Sequence, residues 1–112
     1  MISRHWKGIA KREEAENYTT HLLSNTFPTL STIPGFLRAS ILRRVVDQGV
    51  EFLIITDWES IDAIQEFAGE NLEAAVVPPV VQAMMIEYEK EVRHYQVSID
   101  YSPNDGRPRQ FQ

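Results

Sequence analysis

The chain has 112 residues, of which 43% are hydrophobic and 24% charged, which is the composition of one ordinary globular domain and not of a disordered segment. Its 11 basic and 16 acidic residues give a net charge of −5, which argues against a general nucleic-acid binder because phosphate recognition calls for a basic field. The absence of cysteine excludes disulfides, thiolate metal sites, iron–sulfur clusters and thiol catalysis by the chain itself.

In chain order, Ile2 to Ala10 reads as a first strand whose imperfect alternation fits partial cover on both faces. Arg4, His5 and Lys7 break any signal-peptide core there. No apolar run reaches the roughly 20 residues of a membrane helix, so a cytoplasmic protein is expected. From Lys11 to Leu30 the period changes. Ala15, Tyr18 and Leu22 recur at three- and four-residue steps, with Leu23 and Phe27 widening the stripe, which predicts an amphipathic helix. Pro28 is expected to kink it, and Pro34-Gly35 to end the region.

Phe36 to Val46 and Val50 to Trp58 read as the second and third strands, joined by the short turn Asp47-Gln48-Gly49. The run Phe52-Leu53-Ile54-Ile55 puts apolar side chains on both faces of the sheet, so both faces need cover. Ser60 is the expected N-cap of a helix carrying Ile61, Ile64, Phe67 and Ala68, with Gly69 as its stop. Glu70 to Val77 reads as a loop. Pro78-Pro79 is expected to open a short helix through Met85 or Glu87, and Glu89 to Asp100 to form the fourth strand. Residues 101–112 are polar, build no core and are expected to be a mobile tail beyond a single domain at 1–100.

The order strand, helix, strand, strand, helix, strand is the split βαβ arrangement of an α+β, ferredoxin-like βαββαβ fold. Right-handed crossovers place both helices on one face of a four-stranded antiparallel sheet, with the first and third strands central. The opposite face is then bare although the third strand is apolar there. A second copy of the chain is the simplest cover, and pairing would add burial that a small domain lacks.

Arg4-x-Trp6-x-Gly8, Pro34-Gly35, Trp58-Glu59-Ser60-x-x-Ala63 and the closing Val92-x-His94-Tyr95-x-Val97, taken with their spacing, resemble the antibiotic biosynthesis monooxygenase superfamily over roughly Met1 to Ile99. The resemblance implies a homodimeric α/β barrel paired through the sheet face, with a ligand pocket between helices and sheet. It implies cofactor-independent oxygenation of a small aromatic or quinol-like substrate, with no cofactor or metal held by the chain. The haem-degrading branch is disfavoured. It carries an Asn in the first strand, a Trp in the second helix and a His soon after, whereas this chain has no Asn before Asn17, has Phe67 near that Trp position and has no His between His21 and His94.

Among candidate site residues, His94 lies mid-strand and matches the resemblance. It reads either as a general base that removes a phenolic or enolic proton or as a hydrogen-bonded residue of the sheet or dimer face. His5, His21 and His94 lack metal-ligand spacing. Arg4 and Trp6 share a face of the first strand. Toward the helices they make an anion anchor and an aromatic wall, with Tyr18 and His21 opposite; toward a partner sheet they are interface residues. Arg38, Arg43 and Arg44 place cations on both faces of the second strand, which protects an edge, although Arg38 also reads as a group that steers an anionic substrate. Phe67 reads as core or pocket wall. No phosphate loop or nucleophile elbow occurs. A non-catalytic dimeric module for small-ligand binding or interaction is the competing reading.

Overall fold

A computed structural model describes residues 1–103 and 107–110, the last four as backbone. Strand β1 (Ile2–Ala10) runs down the middle of the sheet and pairs along its whole length with β3 (Val50–Trp58), from Ile2 opposite Trp58 to Ala10 opposite Val50. β2 (Phe36–Val45) takes the outer edge beside β3 and β4 (Met85–Tyr88) the other side of β1, so the sheet is antiparallel in the order β2-β3-β1-β4. The chain therefore has the expected ferredoxin-like α+β architecture, with β1 and β3 central.

The helical run after β1 is continuous in backbone angle but not in kind. A 3-10 turn (Arg12–Glu14) leads into α1 (Ala15–His21), then a π segment (Leu22–Thr26), then α2 (Phe27–Leu30). Pro28 explains the change. It has no N–H and its ring crowds the carbonyl of the preceding turn, and the wider π turn just before it absorbs the mismatch. Phe27 N–H correspondingly reaches back five residues to the Leu22 carbonyl.

Helix α3 (Ile61–Ala68) begins where its cap dictates: the Ser60 hydroxyl accepts from Ala63 N–H at 3.2 Å. It ends at Gly69, whose φ of 77° suits a residue without a Cβ. α4 (Pro79–Gln82) is a single turn and shorter than the sequence predicts; Met85 to Tyr88 instead form β4 on the free edge of β1.

The fourth strand also differs from expectation. It is two segments, β4 (Met85–Tyr88) and β5 (Arg93–Gln96), both paired with β1. Between them the 73–75 loop takes the hydrogen bonds: Ala75 N–H donates to Lys90 O, Val92 N–H donates to Glu73 O, and Ala74 bridges Glu91. Backbone groups must be paired somewhere, and this loop competes with β1 for them. Of the tail, residues 104–106 and 111–112 lie outside the described residues. β6 (Ile99–Ser102) pairs with β7 (Arg107–Gln110) as a separate antiparallel ladder.

Period-two alternation sorts the sheet into two faces. Even positions of β1 and β3, including Phe52, Ile54 and Trp58, face the helices. One buried cluster gathers Tyr18, Leu22, Phe52, Ile54, Val81 and Met84; a second gathers Leu30, Trp58, Ala63 and Ile64. Phe27 packs against both. On the other face Leu42, Leu53 and Ile55 form an apolar strip, with Leu42 47% exposed, flanked by the ion pairs Arg38–Asp57 and Arg44–Glu51.

Candidate active site

A cavity of about 80 Å³ lies where the two core clusters meet. β1 and β3 supply its floor through Arg4, Trp6, Ile54 and Thr56. The helical run supplies Tyr18, Leu22, Phe27 and Leu30, and α3 supplies Phe67. Val76, Val77 and Pro78 close it from the loop. Arg4 and Trp6 therefore face the helices and not the bare side of the sheet.

Local sequence explains the placement of Trp6. Its indole N–H donates to Glu89 O at 2.8 Å, inside the break between β4 and β5. A Cβ at Gly8, two residues along the same face, would fall 2.6 Å from the Trp6 ring. The Arg4-x-Trp6-x-Gly8 spacing therefore pairs a large ring with the gap it needs. Tyr18 packs edge-on against Phe52 with centroids 4.9 Å apart and stands 6.2 Å from Trp6. Burial pushes the Tyr18 phenol well above its ordinary value, so it stays neutral. Among the described residues its hydroxyl has no hydrogen-bond partner.

Arg4 is 5% exposed. Nη1 donates to Leu72 O at 2.7 Å and to His94 Nε2 at 2.9 Å, and Nη2 donates to Ala74 O at 3.0 Å. Its guanidinium sits 5.7 Å from the Phe67 ring centre, within cation–π range. Burial lowers its pKa from 12.5 to about 10, which leaves it charged at neutral pH.

His94 stands directly across the ladder from Arg4, one layer behind the cavity wall. A guanidinium only donates, so Nε2 accepts and the ring proton resides on Nδ1. Burial, then the charge of Arg4, hold His94 below its ordinary value, with Glu73 opposing. Its free lone pair is thereby occupied, and a role as base toward the cavity would require this bond to break.

The other predicted residues lie elsewhere. His21, one turn after Tyr18, does not line the cavity, and its Nε2 is buried without a partner among the described residues. Arg38 is on the opposite face, where Nε donates to Asp57 at 2.8 Å. Strand parity separates it from Arg4, since β2 passes a register shift between Phe36 and Arg38. Sequence reasoning missed Thr56, which accepts from Trp58 Nε1 at 2.9 Å, and the carbonyls of Leu72 and Ala74. Backbone acceptors leave no residue-type signal. Among the described residues no group of three or more His, Cys, Asp or Glu could hold a metal ion, and no helix is long and apolar enough to cross a membrane.

Fold and cavity together define a ferredoxin-like α+β protein with its candidate site between helices and sheet. The family model for antibiotic biosynthesis monooxygenase matches residues 1–76, and the chain belongs to this family. Solved structures agree in fold. SnoaB, a cofactor-independent oxygenase from Streptomyces nogalater, is 14% identical with a TM-score of 0.58, covering 86% of this chain and 91% of SnoaB. A Deinococcus radiodurans protein assigned to the antibiotic biosynthesis monooxygenases is 16% identical with a TM-score of 0.61, covering 91% and 97% of the two chains. The haem degrader MhuD from Mycobacterium tuberculosis is 19% identical with a TM-score of 0.56, covering 91% and 100%. No curated protein matches the chain.

Proposed function

We propose that this protein is a monooxygenase that oxidises a small hydroxylated aromatic, a phenol or quinol, in the cavity between its helices and sheet, without a cofactor of its own. The observation that carries this reading is the composition of that cavity. Trp6, Phe27 and Phe67 offer flat apolar walls, while Arg4 and Tyr18 bring polar groups to bear on a ring oxygen. An ionised phenol is electron-rich enough to reduce dioxygen, and a cavity that sheds water protects the intermediate. For a simple phenol the reaction balances as follows. One oxygen atom bonds to a ring C–H carbon, giving a quinone. The other leaves as water with that hydrogen and the phenolic hydrogen, and the ring yields the four electrons that dioxygen takes up.

The volume of about 80 Å³ lies below the roughly 300–1,000 Å³ usual for ligand sites, so a whole substrate requires the walls to part. Pairing through the bare sheet face completes this reading: a second copy covers the Leu42, Leu53 and Ile55 strip and leaves the cavity on the far side free.

The test is dioxygen uptake by purified protein across a panel of phenols and quinols. We expect uptake matched by quinone formation for at least one member and diminished in Trp6→Ala. No uptake with any member would overturn the proposal. A second reading, a module that binds such molecules without turning them over, is favoured by the engagement of His94 Nε2 with Arg4. It is recognised by saturable binding with no uptake.

A further inference from the structure

We infer that the ligand of this cavity is held as an anion, with a phenolate or carboxylate oxygen on Arg4. The inference deepens the oxygenase reading and rests on it for the choice of site, but it concerns binding and stands without turnover.

The charge balance of the molecule points there. Arg38, Arg43, Arg44 and Arg93 each pair with a carboxylate near the surface. Arg4, far more deeply buried, has no carboxylate within ion-pair distance among the described residues. Two carbonyls and a neutral imidazole solvate its charge but do not cancel it. Buried charges are ordinarily paired, because an uncompensated one loses its hydration with no counter-charge to replace it. Such an arrangement persists where a ligand supplies the missing charge.

Stereochemistry leaves room for that ligand. A guanidinium has five N–H bonds, and Leu72 O, His94 Nε2 and Ala74 O occupy three. Nε–H and the second Nη2–H have no partner among the described residues, and Arg4 lines the cavity. Neutral Tyr18, on the same cavity, adds a hydroxyl that can donate to an oxyanion. Apolar neighbours Ile54, Phe27 and Phe67 keep the local dielectric low, which strengthens attraction at short range. The net charge of −5 repels anions at long range, so selection lies in this contact and not in steering.

A phenol docked on Arg4 ionises more readily. Its proton then leaves to solvent, and no protein base is required at the ring oxygen.

The probe pair is 4-nitrophenol, whose phenolate has its own visible absorbance, and its uncharged methyl ether 4-nitroanisole. Wild-type protein is expected to bind the phenolate about tenfold or more tightly than the ether and to lower the pKa of the bound phenol by about 1 to 3, as an adjacent cation does. Arg4→Gln abolishes both effects and Arg4→Lys keeps part of them. Should Arg4→Gln fail to fold by circular dichroism, the wild-type comparison and Arg4→Lys decide alone. Equal or tighter binding of the ether, binding of the protonated phenol, or no binding of the phenolate overturns the inference. Phenolate binding without dioxygen uptake by any phenol sinks only the oxygenase reading. Uptake by a protein that holds the probe neutral sinks only the anion site.

Discussion

His94 separates two accounts of the site, and its replacement by Ala and by Gln distinguishes them. As an acceptor for Arg4 it makes one hydrogen bond of 2.9 Å to a charged donor, an interaction worth about 1.5–3 kcal/mol. His94→Ala removes that acceptor, so urea denaturation should show a loss in that range. Phenolate affinity should fall about ten- to a hundredfold as the guanidinium loses its orientation. His94→Gln offers a carbonyl oxygen at similar reach, and both quantities should return most of the way to wild type. A general base behaves otherwise. Its loss costs roughly 10²–10⁴ in rate, and an amide does not replace it. The measurements are urea midpoints, phenolate titrations and the pH profile of kcat/KM for wild type and both variants. If His94→Gln is as impaired in turnover as His94→Ala while folding and phenolate affinity are intact, the acceptor account is wrong and His94 is the base.

Further outcomes follow from the same geometry. His5 and His94 are both held below the ordinary 6.5, burial being the larger cause in each, followed by Arg93 and Arg4 respectively. The unfolded chain then binds more protons than the folded one, so their contribution is complete above about pH 6.5 and is lost as pH falls through that value toward the folded pKa. Urea midpoints should drop across that window, with a shallower drop in His94→Gln. Ser60→Ala removes the oxygen that caps Ala63 N–H and should cost about 1 kcal/mol, read as a Tm lower by roughly 4–8 °C. Ile55→Glu puts a charge in the middle of the bare apolar face. It should convert a dimer to a folded monomer in size exclusion with light scattering, and an unchanged mass would refute pairing through that face.

Much of the fold was legible because its signals are local. Period and turn chemistry located β1, β3, the Ser60 cap and the Gly69 stop, and the order of elements placed β1 and β3 at the centre. The fourth strand was less legible. Lys90–Val92 lies inside the stretch expected to be one strand, but the 73–75 loop takes its hydrogen bonds, and no residue type announces such competition. The site divided in the same way. Arg4, Trp6, Tyr18 and Phe67 were named as residue types suited to a pocket, and all four line it. Arg38 and His21 suited it equally and lie outside it.

By itself, then, the sequence determined the order of elements, the alternation that makes each strand two-faced, and the family to which the spacing of its motifs belongs. Only the tertiary structure decided which face Arg4 and Trp6 occupy, because alternation defines two faces without saying what packs on either. It also decided that His94 serves Arg4 and that Leu72 and Ala74 contribute carbonyls. These contacts join residues 68 to 90 positions apart; the His94 contact follows from register across the sheet and the two carbonyls from the path of the loop after α3, and a linear pattern is blind to both.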